Sequence, residues 1–192
     1  MLDLIKKIRE KTGAGVVQIK KALDEAQGNE EKAIDILRTQ GLGKALKKAD
    51  RETKEGIVVS YVHSNNKIGS LVKIFCETDF VARNEQFQEF ARDIAMHVTA
   101  MNPLVIKPEE VSDELVAKEK EIWKQQLAQE GKPEEMISKI MEGKEKKFRE
   151  EAALLTQSFV KDPSMTIGQL MTEKINKIGE NIQIGAFVRY EL

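Results

Sequence analysis

Two neighbouring runs rich in β-branched and aromatic residues, Ile57 to His63 (IVVSYVH) and Ile68 to Glu77 (IGSLVKIFCE), find no further strand-like partner until the far end of the chain. The turn-forming tetrad Ser64-Asn65-Asn66-Lys67 separates them, so together they predict a β-hairpin. In the last run, Ile182, Ile184, Ala186, Val188 and Tyr190 alternate with Gln183, Gly185, Phe187 and Arg189. That alternation predicts a third strand with the first set on one face, completing a small antiparallel sheet. The intervening chain must leave the sheet and return to it, and its hydrophobic spacing says that it does so as helices. The expected class is α+β, with helices on one face of a three-stranded sheet.

Within the second strand, Val72, Ile74 and Cys76 share one face and Lys73 and Glu77 the other, so Cys76 reads as a buried apolar residue, with a reactive thiol as the alternative. After the hairpin, Asn84 is placed to cap a helix whose Phe87, Phe90, Ala91, Ile94 and Val98 form an apolar face wide enough to cover the strands. A last helix, bearing Ile167, Leu170, Met171, Ile175 and Ile178, opens with the Thr166 to Gln169 capping-box spacing and stops at Gly179.

Ahead of the hairpin lie three short helices. The first carries Leu4, Ile5 and Ile8 and breaks at Thr12-Gly13-Ala14-Gly15; the second places Val16, Ile19, Leu23 and Ala26 inward and stops at Gly28. Asn29 is a suitable N-cap for the third, with Ala33, Ile34 and Leu37 inward. From Gly41 the sequence GLGKALKKADRETKEG loses most large apolar residues and gains charges of both signs. Lys44, Lys47 and Lys48 are followed by Asp50, Glu52 and Glu55, which favours a partly helical, solvated linker over a basic patch. The organisation so read is a three-helix domain at 1–40, a linker at 41–55 and a core domain at 56–192.

The core domain contains a long helical insertion, about 112–150. Ser112 is an N-cap with Asp113 and Glu114 suited to the positive helix end, and Leu115, Ile122, Trp123 and Leu127 follow. Gly131-Lys132-Pro133 turns the chain, and Ile137, Met141 and Phe148 mark a returning stripe. So few hydrophobes over such a length indicate a projecting antiparallel helical hairpin, serving contact with a partner or a second copy, or purely structural.

Charge and chemistry exclude several functions. The 31 Lys and Arg balance 32 Asp and Glu, a net charge of -1, without the cationic excess that drives phosphate binding, so no direct nucleic-acid partner is expected. No apolar run nears the ~18 residues of a membrane span and MLDLIKKIREK lacks an apolar signal core, so the expected location is the cytoplasm, away from membranes. One cysteine and two histidines, His63 and His97, leave too few soft ligands for a zinc or iron-sulfur site. Neither Gly13-Ala14-Gly15 nor Gly41-Leu42-Gly43 continues into a phosphate-binding loop, no Gly-x-Ser-x-Gly elbow occurs, and the acidic residues do not gather near strand ends. No cofactor, metal or enzymatic site is expected.

One segment stands apart. Cys76-Glu77-Thr78-Asp79-Phe80-Val81-Ala82-Arg83-Asn84 puts Phe80 and Val81 in a short connection beside Asp79. Phe80 either folds back under the sheet or is presented to a partner as the aromatic anchor of an acidic wedge. Val17, beside Lys20, Lys21 and Asp24, is either an incidental exposed valine or half of a docking patch.

These residues resemble those of the translation elongation factor Ts family. Leu4 to Leu37, with Lys11-Thr12-Gly13-Ala14-Gly15-Val16-Val17 and Lys20-Lys21-Ala22-Leu23, is similar to its ubiquitin-associated-type (UBA-like) domain, and Thr78-Asp79-Phe80-Val81-Ala82-Arg83 matches its core signature. Ile94-Ala95-Met96-His97-Val98, Ile106-Lys107-Pro108, Glu142-Gly143-Lys144, Phe159-Val160 and Thr166-Ile167-Gly168-Gln169-Leu170 resemble its later blocks, in the family's order. The resemblance implies guanine-nucleotide exchange on elongation factor Tu, in its GDP-bound and nucleotide-free states. Asp79 and Phe80, flanked by Thr78 and Val81, would intrude beside the Tu magnesium site and release Mg2+ and GDP; Val16 and Val17 would dock the N-terminal domain. His97 matches a family histidine near the interface, with a packed helix histidine as the alternative. Long members duplicate the core; here one strand-strand-helix unit leads into the insertion and last strand, as in the short branch, which implies a homodimer. Two other classes compete: a ubiquitin-type or peptide-binding adaptor that uses only residues 1–40, and a small enzyme whose turnover would be insensitive to Phe80.

Overall fold

The computed structural model describes residues 2–12, 14–129 and 133–192. Gly131 and Lys132 of the expected turn, and Gly13 of the expected helix break, lie outside those residues. The chain divides into two compact units, residues 1–99 with 169–192, and residues 100–168.

The first unit begins with α1 (Leu2–Thr12), α2 (Val16–Glu25) and α3 (Glu30–Leu46). Their apolar stripes meet in a core of Ile5, Ile8, Ile19, Ala22, Leu23, Ala26, Ala33 and Leu37. Asn29 caps α3 as expected, its side chain accepting from the Lys32 amide at 3.0 Å. Two details differ from the sequence reading. Val16 is 40% exposed instead of buried with Ile19, because it is the first residue of α2 and no preceding turn covers it. And α3 continues through Gly41 and Gly43, six residues into the segment read as linker. Contacts from elsewhere in the unit hold this extension: Asn176 Nδ2 donates to the Gly41 carbonyl at 3.1 Å and Lys48 Nζ to the Ile175 carbonyl at 3.3 Å, offsetting the poor helix propensity of glycine.

The sheet follows. Strands β1 (Glu55–Val62) and β2 (Ile68–Cys76) form the expected hairpin, closed by a bond from the His63 amide to the Ile68 carbonyl at 2.9 Å. A four-residue helix α4 (Asp79–Ala82) and the long α5 (Glu85–Met101) come next. The Asn84 side chain accepts from the Gln86 amide at 2.8 Å at the start of α5. Phe87, Phe90, Ala91, Ile94 and Val98 of α5 are wholly buried, as are Ile74 and Cys76 of β2. Ser70 of β2 donates to the Ala95 carbonyl of α5 at 2.7 Å and accepts from Thr99 at 3.0 Å, so even the buried hydroxyls are satisfied.

Helix α8 (Ile167–Ile178) starts directly after Thr166, and Gly179 ends it with φ +95°, its amide bonded to the Ile175 carbonyl at 2.9 Å. Strand β5 (Ile182–Glu191) then pairs with β2, giving the order β1-β2-β5, all antiparallel. The expected single face of β5 is overturned. Ile74 opposes Ile184 and Lys73 opposes Ala186, so Gly185 is an extra residue, a β-bulge that inverts the alternation. Ile182 and Ile184 are buried, whereas Val188 and Tyr190 are exposed and Arg189 turns in to donate to the Thr99 carbonyl at 3.0 Å. A Cβ on residue 185 would sit 2.3 Å from Phe75 Cε2, so a larger residue there would have to displace that ring.

The second unit holds α6 (Asp113–Gln129) and α7 (Glu134–Ala152). The Ser112 hydroxyl accepts from the Leu115 amide at 3.3 Å, the cap read from sequence. The two helices meet through Trp123 edge-on to Phe148, with ring centroids 5.8 Å apart, through Lys120 paired with Glu145, and through Arg149 paired with Asp113; Arg149 also pairs with Glu145 along α7 itself. Those two cations hold the Glu145 carboxyl below the usual carboxylate range, the Lys120 hydrogen bond first. A ribbon of β3 (Ser158–Phe159) and β4 (Asp162–Thr166) adds a second, two-stranded sheet that the sequence reading did not include.

The α5 face is the keystone of the first unit's sheet core. Phe90→Ala is expected to lower unfolding free energy by about 3–5 kcal/mol, the usual cost of emptying a buried aromatic site. Urea denaturation measures it, and a loss below about 1 kcal/mol contradicts this packing.

Candidate partner-binding site

Strand β2 ends at Cys76, and two residues later the chain winds into the single turn of α4. Thr78 starts that turn: its backbone is extended, at φ -129° and ψ 156°, and its hydroxyl accepts from the Val81 amide at 3.4 Å. The Ala82 amide bonds to the Thr78 carbonyl, the Arg83 amide to Asp79 and the Asn84 amide to Val81, so the turn is closed by its own backbone bonds. Ala82 packs inward. Phe80, between residues so fixed, is 82% exposed. The ring therefore does not fold back under the sheet.

Asp79 is half-exposed at the first position of α4, where the helix dipole suits a carboxylate, and its Oδ2 lies 3.2 Å from Arg83 Nη2. Such an exposed pair contributes little to stability and is readily exchanged for a partner's groups. A charged oxygen and a bare aromatic ring thus occupy adjacent positions on a four-residue helix.

The base of the turn is tied down from a distant part of the chain. Both backbone amides of Glu77 and Thr78 donate to Glu180 Oε2 at 3.1 Å, and the Thr78 hydroxyl donates to Glu180 Oε1 at 2.7 Å. In return the Asn181 amide donates to Glu77 Oε1 at 2.6 Å. Sequence reasoning missed Glu180, since a lone carboxylate between a helix and a strand carries no periodic signal. The one available cue was its place directly after the helix-ending Gly179.

Cys76 also belongs to this base. It is wholly buried, its Sγ–H donates to the Thr78 carbonyl at 3.2 Å, and burial pushes its thiol up to about 11, with the Glu180 carboxylate adding to the effect. It fits the buried-residue reading.

The remaining sequence-derived residues lie on other elements. Val16 and Val17 sit at the start of α2, and Val17 is 69% exposed. His97 is fully buried on α5, which supports its packed reading. A cavity of about 300 Å3, lined by Arg38, Gly41, Lys48, Thr172 and Asn176 among others, is touched by none of these residues. Among the described residues no group of three or more His, Cys, Asp and Glu is arranged to hold a metal ion, and no helix is long and apolar enough to cross a membrane.

An exposed aromatic beside a carboxylate, on a turn braced from behind, is a candidate contact surface of the class found in proteins that bind other proteins. Comparison with known proteins gives that class a family. The family model described as elongation factor TS matches residues 3–192. The elongation factor Ts of Thermosipho melanesiensis is 54% identical over 187 residues, covering 97% of this chain and 95% of the relative. That of Solidesulfovibrio magneticus is 53% identical over 188 residues, 98% and 94% of the two chains, and that of Alkaliphilus oremlandii 50% over 190 residues, 99% and 88%. The chain belongs to the elongation factor Ts family, the elongation factors of protein biosynthesis that the residue pattern resembled.

The state of Cys76 has a direct consequence. With its thiol at about 11, only about one molecule in a thousand carries a thiolate at pH 8, and the sulfur is buried as well. Native protein is expected to resist maleimide labelling under conditions where urea-unfolded protein labels fully; equal rates in the two states contradict the placement of Cys76.

Proposed function

We propose that this chain is the guanine-nucleotide exchange factor of elongation factor Tu, promoting loss of Mg2+ and GDP during translation elongation in the cytoplasm. The observation that carries the reading is Phe80, displayed on α4 with Asp79 at its side and a hydrogen-bonded base beneath. No nucleophile or metal of its own is needed for this task. Asp79 and Phe80, flanked by Thr78 and Val81, enter beside the Tu magnesium site; the ring supplies anchoring energy on desolvation and the carboxylate disturbs the charge balance that holds Mg2+.

The energetics are those of differential binding. An exchange factor must bind the nucleotide-free partner more tightly than the nucleotide-bound one, and a ten-thousandfold effect on GDP requires about 5.5 kcal/mol of difference. A buried aromatic hot spot with a few desolvated polar contacts lies within that range. The three-helix segment at 1–40, UBA-like in its resemblance, adds a second attachment through Val16 and Val17, joined by the 41–55 segment to the exchange core at 56–192. The helical pair of the second unit is proposed as the projecting hairpin of that core.

The reading includes a homodimer. Val58, Val62, Leu71, Val188 and Tyr190 all lie exposed, on the sheet face opposite Val72 and Ile74. An apolar sheet face of this kind is suited to packing on its own copy, sheet on sheet. Leu71→Asp is expected to convert a dimer to a monomer in sedimentation equilibrium with the circular dichroism spectrum intact; an unmodified chain that sediments as a monomer contradicts the proposal.

The exchange reading is tested by release of fluorescent GDP from elongation factor Tu. The unmodified chain is expected to accelerate release strongly, and Phe80→Ala, which removes an exposed ring and leaves the core untouched, to lose at least about tenfold of that acceleration. Acceleration that survives the substitution moves the mechanism to other contacts, and none at all from a chain that binds Tu refutes the exchange reading.

A further inference from the structure

We infer that Glu180 is the positioning residue of the exchange wedge, setting the orientation of Phe80 through Thr78; the inference rests on the exchange reading above. The carboxylate is the acceptor for three donors at once, the Glu77 amide, the Thr78 amide and the Thr78 hydroxyl. The third bond has a directional consequence. A hydroxyl has one proton, and with that proton given to Glu180 Oε1 the lone pairs of Thr78 Oγ1 remain for the Val81 amide, which it accepts. Glu180 therefore decides which way the cap of α4 points, and α4 is the turn that carries Phe80.

The arrangement is reciprocal. Residues 77–78 give amides to the Glu180 carboxylate, while the Asn181 amide is given to the Glu77 carboxylate, which Arg51 also approaches at 3.5 Å. The Asn181 side chain, itself buried, donates to the carbonyls of Ala49 at 3.2 Å and Arg51 at 2.9 Å. The bonds to the Glu180 and Glu77 carboxylates are charge-assisted, stronger than neutral ones, and they converge on the two residues immediately before the wedge. Gly179, in the left-handed region, brings Glu180 to that point by ending α8 one residue earlier. An unbraced turn of four residues has to be ordered when it meets its partner; a braced one arrives already ordered, and binding keeps the difference.

The test uses the full chain with Glu180→Ala, Phe80→Ala and the double variant, read by GDP release from elongation factor Tu and by amide hydrogen exchange. Glu180→Ala is expected to reduce the stimulated release about tenfold while the α5 amides keep their protection, and to speed exchange at the Thr78 and Val81 amides. Glu180→Gln, which retains one carbonyl oxygen at the same reach, recovers part of the loss. In the Phe80→Ala background, Glu180→Ala has no further effect, because a residue that acts by orienting the ring has nothing left to orient. Full stimulation by Glu180→Ala, or an additive loss in the double variant, overturns the inference. If the unmodified chain gives no stimulation, the exchange reading fails on its own account. The clamp is then judged by the amides, and unchanged exchange at Thr78 and Val81 in Glu180→Ala overturns it.

Discussion

The three-stranded sheet depends on β2, the strand bonded along both edges. On one side it pairs with β1 across a short turn; on the other it pairs with β5, from Ile68 opposite Glu191 to Cys76 opposite Ile182. The first pairing is local and cheap in loop entropy; the second closes more than a hundred residues of chain. Everything between, α4 to α8 and the ribbon, must return β5 to that edge. The same closure puts Glu180 and Asn181, just before β5, beside Glu77 and Thr78, just after β2. The sheet's long-range pairing and the geometry of the exposed turn are thus one constraint.

What a single sequence shows of such a protein follows from the range of the interactions. The hairpin, the α5 face, the Asn29 and Ser112 caps and the stop at Gly179 were legible because each is set by residues within a turn or two. The inversion of β5 at Gly185 was not, since the bulge is a property of the pairing with β2, a strand more than a hundred residues away in sequence. The extension of α3 through two glycines, held by Asn176 and Lys48, was hidden for the same reason. The β3–β4 ribbon lacks apolar alternation and contains Pro163, and so gave no strand signal.

The candidate site divides in the same way. Asp79 and Phe80 stood out because a large aromatic in a short, charged connection is unusual, but exposure decides between a folded-back ring and a presented one, and exposure is a tertiary property. Val16 shows the converse: helical spacing placed it inside, and its position at the very start of α2 leaves it partly outside. The matched signature pointed to residues 78–81, and the fold supplied the carboxylate that holds them.

The central claim is that this elongation factor Ts family member works by preferring the nucleotide-free state of elongation factor Tu. Thermodynamic linkage makes that preference measurable without following exchange at all. The decisive measurement is the affinity of the chain for Tu at equilibrium, by calorimetry, with saturating GDP and without nucleotide. The account predicts tighter binding without GDP, by the same factor by which the chain weakens GDP binding to Tu. Equal affinities in the two states would contradict it, since a protein that binds both states alike shifts neither.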